Sequence, residues 1–218
     1  MTKNASLFPT FDFVETDTFS FERQLLSQGL KDVAGTDEAG RGPLAGPVVA
    51  ACVILPVDCD FSLFKDSKKT SARERARLYD LLHRIGAGIG VGYGTVEEIE
   101  SLNILHASLL AMKKAVEKLV SSPGFLLVDG KFPVPCAIPQ TSLVKGESRS
   151  ASIAAASIIA KEERDRLMEK YHAQYPQYNF ARHKGYPTAE HRQLIEKYGP
   201  CKIHRRTFKG VREHLDDQ

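Results

Sequence analysis

A single α/β domain is predicted by three features of this 218-residue chain. Three strand-like runs with a helical stretch among them come first, a long amphipathic stretch follows, and further strands then give way to helices. Hydrophobic residues at 42% and charged residues at 26% match an ordinary globular composition and exclude a disordered, collagen-like or disulfide-dense chain. The length suits one large domain with a substantial core.

In chain order, residues 1–20 carry four Phe without a clear period and read as an arm of unassigned role. Phe21 to Gly29 reads as a short helix. Val33 to Asp37 is a β-branched, apolar strand, and Val48 to Leu55 is a second one across Gly40-Arg-Gly-Pro-Leu-Ala-Gly46, so a hairpin with an unusual turn is expected. Ser71-Ala-Arg-Glu74 has capping-box form and opens a helix ending near Gly86. Gly88 to Gly94 alternates as a third strand, and its four glycines predict a closely packed neighbour. A second capping box, Thr95-Val-Glu-Glu98, precedes an amphipathic helix expected over Leu102 to Leu119. Phe125 to Asp129 is a strand stopped by Gly130, and residues 131–147 hold three prolines and one more short strand. Ser150 to Tyr175 gives a long helix stopped by Pro176, and Thr188 to Tyr198 a last one closed by Gly199-Pro200. The expected division is an arm (1–20), a core (21–175) and a basic helical segment (176–218) packed on that core.

The net charge of +3 is unevenly spread. Ala181 to Arg212 holds nine Lys/Arg against Glu190 and Glu196, which leaves the remainder of the chain at −4. A basic segment beside an acidic body points to a polyanionic partner, although a solvated surface would look the same on charge alone. The longest apolar stretch, Pro47 to Pro56, is too short to span a bilayer, and Met1 to Pro9 has no apolar region of a secretory signal. Cys52, Cys59, Cys136 and Cys201 form no Cys-x-x-Cys pair, so buried thiols in a reducing cytoplasm are expected.

Carboxylates stand at three margins of the expected core. Asp37 and Glu38 end the first strand, where neighbouring side chains leave on opposite faces unless the strand stops there. Asp129 ends the run Phe125-Leu-Leu-Val. Asp165 continues the helix face of Ala154, Ile158, Lys161 and Met168. Each alone has an ordinary reading: a polar strand terminus, a turn residue before Gly, and an i,i+4 pair with Lys161. Together they can share one site only if cations neutralise them, and oxygen-only ligands favour Mg²⁺ or Mn²⁺ over zinc. Such a site near a basic segment suits phosphodiester chemistry.

The stretch Gly35-Thr-Asp-Glu-Ala-Gly-Arg-Gly-Pro-Leu-Ala-Gly-Pro-Val-Val-Ala50 resembles bacterial ribonuclease HII. The resemblance continues through Asp66-Ser-Lys-Lys69, Leu102-Asn-Ile-Leu105, Val128-Asp-Gly130, Ser152 to Lys161, Arg164-Asp-Arg166, His183-Lys-Gly-Tyr186 and His204-Arg205, in order from about Phe21 to Phe208. It implies an RNase H-like mixed sheet flanked by helices, with the basic helical segment on the substrate side. It implies two divalent ions, Mg²⁺ or Mn²⁺, on four catalytic carboxylates that map onto Asp37, Glu38, Asp129 and Asp165. It also implies ribose recognition by Gly40, Arg41, Gly42 and Tyr186, with Lys68, Asn103 and Lys184 at the nucleic-acid backbone.

The implied reaction hydrolyses the RNA strand of RNA/DNA hybrids and cuts 5′ of a single ribonucleotide in duplex DNA, leaving 3′-OH and 5′-phosphate ends. A monomer without a membrane is expected. No clamp-binding peptide is recognisable at Asp216-Asp217-Gln218, so a sliding-clamp partner has no support there. The chain departs from many relatives at Glu147, where they carry Asp, at the acidic pair Glu162-Glu163, and at Pro187 after Tyr186. Two rivals stay open: a related nuclease acting on all-DNA junctions, which cleavage of an all-DNA substrate would favour, and a non-catalytic duplex-binding protein. The second gives no reason for acidic groups at three core margins.

Overall fold

The computed structural model describes residues 13–64 and 70–215. Its centre is a five-stranded sheet of β1 (Val33–Ala39), β2 (Val48–Ile54), β3 (Gly88–Gly94), β4 (Phe125–Asp129) and β5 (Gln140–Leu143), in the order β3-β2-β1-β4-β5. β1, β2 and β3 pair antiparallel, while β4 joins β1 and β5 joins β4 in parallel. The sheet is therefore mixed, with the expected hairpin at its start.

Helices cover both faces. On one lies α5 (Ala151–Gln174), with α2 (Ala72–Arg84) beside it; on the other lies α4 (Ile104–Glu117). Alternation along β2 sorts the core: Ala51 and Val53 pack with Ala154, Ile158, Leu78 and Leu82, whereas Val48, Ala50 and Cys52 pack with Ala107, Ala111 and Met112. Close approach explains the β3 glycines, because a Cβ on Gly90 or Gly92 would collide with the α4 backbone at Ala115 or Ala111. The first ten residues of α5 are buried throughout, and their small side chains bring the helix backbone down onto Gly35 of β1.

Caps set the helix starts. Ser71 Oγ accepts from Glu74 N, Ser150 Oγ from Ile153 N, and Thr95 with Glu98 makes a reciprocal capping box. The helix expected from Leu102 is instead two: α3 (Val96–Leu102) stops at Asn103, whose φ of 70° breaks the helical path. The Asn103 carboxamide then caps α4 by accepting from the Leu105 and His106 amides. At the N-terminus, Phe19 is buried and stacks on Phe61 just before α1 (Ser20–Ser27), and Glu15 pairs with Arg149. So part of the expected arm packs on the body.

The C-terminal segment folds against the β1–β2 loop. α6 (Phe180–His183) and α7 (Ala189–Tyr198) lead to a one-residue bridge between His204 and Ala45. Ala45, Met168, Tyr178, Phe180 and Ile203 form a shared core there.

Candidate active site

The register of β1 and β4 brings two carboxylates together. One step beyond the pair Thr36–Val128, Asp37 and Asp129 leave adjacent parallel strands on the same face. Asp37 is only 4% exposed. Burial pushes its carboxyl well above the ordinary range, and the charges of Glu38, Asp129 and Glu147 push it further. The Glu38 amide, donating to Asp37 Oδ1 at 2.6 Å, opposes this in part. Burial also raises Glu38; Arg41, 3.1 Å away, partly offsets that rise, and Asp129 adds to it.

Glu38 joins Asp37 in the cleft because β1 ends at Ala39 and the chain turns at Gly40. Gly40 has a φ of 98°, and a Cβ there would strike the Arg164 side chain. The resulting cavity of about 300 Å³ is lined by Asp37, Glu38, Gly40, Arg41, Gly42, Glu147, Ser157, Lys161 and Tyr186. Tyr186 is 40% exposed, its ring edge lies 4.0 Å from where a Gly42 Cβ would be, and Lys161 and Arg164 lie over the ring.

Glu147, which the resemblance marked only as a departure, lines the cavity. The turn Gly146–Ser148 is drawn to β4 by the Gly146 amide, which donates to Asp129 Oδ1 at 2.7 Å and delivers Glu147 to the cleft. Asp165 stands apart from it. Lys161 Nζ holds one of its oxygens at 2.6 Å and Arg75 Nη2 the other at 3.1 Å, so both are already committed to cations of the protein. Asp165 thus takes the i,i+4 pair that its spacing allowed, and the fourth acidic group beside Asp37 is Glu147. The sequence signal for it was slight: an acid beside glycine in Lys145-Gly-Glu-Ser148, with no periodicity to place it.

The other implied residues divide. Gly40, Arg41, Gly42 and Tyr186 share the cleft with the carboxylates. Lys184 pairs with Glu169 at 2.9 Å outside the cavity lining, Asn103 is occupied as a helix cap, and Lys68 lies outside the described residues. Glu163 accepts from Tyr79 and Tyr93, and Glu162 pairs with Arg75 and Arg166, so neither of these acids faces the cleft.

Beneath Tyr186 runs a buried histidine chain that the sequence did not single out. The Cys201 amide donates to His204 Nδ1, which leaves His204 Nε2–H for His191 Nε2 at 3.1 Å and His191 Nδ1–H for the Tyr186 carbonyl at 3.0 Å. In this pattern every contact has one donor. Burial lowers His191 to about 4 and His204 to about 3, so both rings are neutral at ordinary pH.

Whether the acidic wall fits divalent cations is decided by its donors. Among the described residues no three His, Cys, Asp or Glu close into a ready-made metal group. Yet a buried Asp37 crowded by three like charges, with no ion pair of its own among the described residues, is an oxygen-only set short of positive charge. The residues fit a hard divalent ion.

Comparison with known proteins agrees with this geometry. The family model for ribonuclease HII matches residues 34–211. The ribonuclease HII of Desulfotalea psychrophila is 54% identical over 213 residues, covering 96% of this chain and 95% of that protein. That of Syntrophotalea carbinolica is 51% identical over 209 residues, covering 96% and 99%. Among solved structures, ribonuclease H2 from Pyrococcus horikoshii OT3 superposes with a TM-score of 0.70 at 27% identity, covering 84% of this chain and 97% of that one. The sheet order, the matched span and the identity along nearly the full length agree: the chain belongs to the ribonuclease HII family and is a hydrolase of the endonuclease class.

Proposed function

We propose that this enzyme hydrolyses the RNA strand of RNA/DNA hybrids and cuts on the 5′ side of single ribonucleotides in duplex DNA. The observation that carries the reading is one cavity with an acidic wall of Asp37, Glu38 and Glu147 and, facing it, the Gly40–Gly42 turn and Tyr186. Asp37, Glu38, Asp129 and Glu147 are the carboxylates that would hold Mg²⁺ or Mn²⁺. When bound, two such ions supply activation of water and stabilisation of the leaving O3′.

The chain's own residues do the rest. The backbone of Gly40–Gly42 can approach a ribose because two of the three residues lack a Cβ. The exposed Tyr186 phenol can donate to or accept from the 2′-hydroxyl, the group that separates RNA from DNA. Lys161, held by Asp165, presents its charge at the cleft for a phosphate. The basic Ala181–Arg212 segment neutralises the duplex backbone, so binding weakens steeply with salt.

A labelled DNA duplex with one ribonucleotide, incubated with Mg²⁺, Mn²⁺ or chelator, tests this. A single metal-dependent nick 5′ of the ribose is expected. Cleavage of the all-DNA control at a comparable rate would favour a junction nuclease, and binding without any cut would remove the catalytic reading.

A further inference from the structure

Two arginines lie wholly inside the protein without a carboxylate partner among the described residues. Arg164 of α5 and Arg205 of the C-terminal segment are both 0% exposed. Arg205 donates from Nε to Gly46 O at 2.9 Å, from Nη1 to Arg41 O at 2.9 Å and from Nη2 to Gly40 O at 2.6 Å. Arg164 donates to Pro47 O, Lys184 O and Ala45 O at 3.0–3.2 Å. Every one of these acceptors belongs to the β1–β2 loop or to the residue two before Tyr186. Burial lowers both guanidinium groups, and the like charge of Arg164 lowers Arg205 further.

Neutral donors would clasp carbonyls with less desolvation, so stability alone does not account for two buried cations. Their geometry supplies the reason. A trans peptide points its N–H opposite its C=O. With the carbonyls of Gly40 and Arg41 tied to one planar guanidinium, the N–H groups of Arg41 and Gly42 are turned to the other side, and both residues line the cleft. Among the described residues no protein group accepts from either N–H. A charge-assisted bond at each carbonyl also polarises the peptide and strengthens its N–H as a donor.

We propose that Arg205, supported by Arg164, is a positioning residue for sugar selection: it fixes two successive peptide planes so that their N–H groups read the ribose 2′-oxygen. This rests on the ribonuclease reading above. The positive charge left under the loop also favours the adjoining phosphate.

The test compares Arg205→Lys and Arg164→Lys with the wild type, at a temperature where circular dichroism shows each folded. Binding is read by fluorescence anisotropy in chelator on two duplexes that differ only by one ribonucleotide. The wild type should prefer the ribonucleotide duplex. Arg205→Lys, which keeps the charge but not the planar fork, should lose about tenfold of that preference, roughly the worth of one hydrogen bond, with all-DNA affinity little changed. Arg164→Lys should lose less.

An unchanged preference, or a parallel fall in both affinities, overturns the proposal. A wild type with no preference would instead sink the substrate reading, which keeps the two failures distinct. If neither variant folds, the guanidinium ¹⁵N–¹H resonances of Arg205 in the wild type decide. They should respond differently to the two duplexes, and an identical response overturns the assignment.

Discussion

The two walls of the cleft handle charge in opposite ways. On the acidic wall, Asp37 is buried against Glu38, Asp129 and Glu147, and backbone amides from Glu38 and Gly146 give Asp37 and Asp129 only partial relief. On the basic wall, Arg164 and Arg205 are as deeply buried, yet all three nitrogens of each donate to backbone carbonyls, five of the six in the β1–β2 loop and the sixth at Lys184. Asp37 has no cation of the protein paired with it among the described residues, whereas the two arginines are complete as folded. Neutralising the first should therefore stabilise the protein and abolish its chemistry, whereas disturbing the second should destabilise it.

The strongest break is Asp37→Asn. It should lower cleavage of a ribonucleotide duplex by at least roughly 1,000-fold, the scale on which charged active-site groups act. The variant should also melt higher than the wild type in chelator. Because the folded-state carboxyl is raised, the native protein holds its proton more tightly than the unfolded chain, and stability falls as pH rises from the ordinary carboxylate range through the raised value. The Tm difference between variant and wild type should thus widen as pH rises above the ordinary carboxylate range, since His191 and His204 contribute equally to both proteins. A difference that is constant or reversed with pH would show that Asp37 is not strained.

Adding Mg²⁺ or Mn²⁺ at the upper pH should raise the wild-type Tm and close much of that gap, because an ion that binds only the native state stabilises it by mass action. The same additions should move Asp37→Asn far less. Equal shifts in both would place the cation elsewhere.

These expectations come from a site that the sequence revealed unevenly. Alternation in β3, an apolar run stopped by Gly130 in β4 and the Pro176 stop of α5 located these elements to within a residue, since those signals are local. Asp37 and Asp129 were legible as polar residues ending apolar strands. Asp165 illustrates the limit. Its helix face was read correctly, but Arg75, ninety residues earlier, reaches it only in the folded chain and claims it for an ion pair. Glu147 had the reverse problem: a turn residue with no periodicity owes its place to one amide bond between Gly146 and Asp129. Arg164 and Arg205 stand in stretches that carry the resemblance but received no role from the sequence, because nothing in a linear sequence marks a cation whose partners are carbonyls.

Glu147 and Asp165 can be set against each other directly. Glu147→Gln should cost cleavage about 100-fold, because it removes a carboxylate that lines the cleft beside Asp37. Asp165→Asn should cost about 1–3 kcal/mol of stability by removing the carboxylate charge between Lys161 and Arg75, which keeps only Glu162 as an acidic partner among the described residues, with a smaller loss of rate. If Asp165→Asn were the more damaging to catalysis at full stability, Asp165 rather than Glu147 would complete the acidic wall. On the basic side, Gly40→Ala should destabilise by at least about 1–3 kcal/mol from its φ of 98° alone, and more from the collision with Arg164. Thermal melting reads both.

The smallest expected effect is the most specific. Tyr186 stands over the open side of Gly42 with its ring against Lys161 and Arg164 and its carbonyl held by His191. Tyr186→Phe keeps all of these and removes only the phenolic oxygen, so fold and duplex affinity should be unchanged. Cleavage at a lone ribonucleotide should fall by about tenfold, the value of one hydrogen bond to the 2′-hydroxyl. On a continuous RNA/DNA hybrid the loss should be less, since any misregistered position still presents a ribose to the Gly40–Gly42 amides. Equal losses on both substrates would assign the phenol to the phosphodiester rather than to the sugar, and would move sugar selection wholly onto the loop that Arg205 holds.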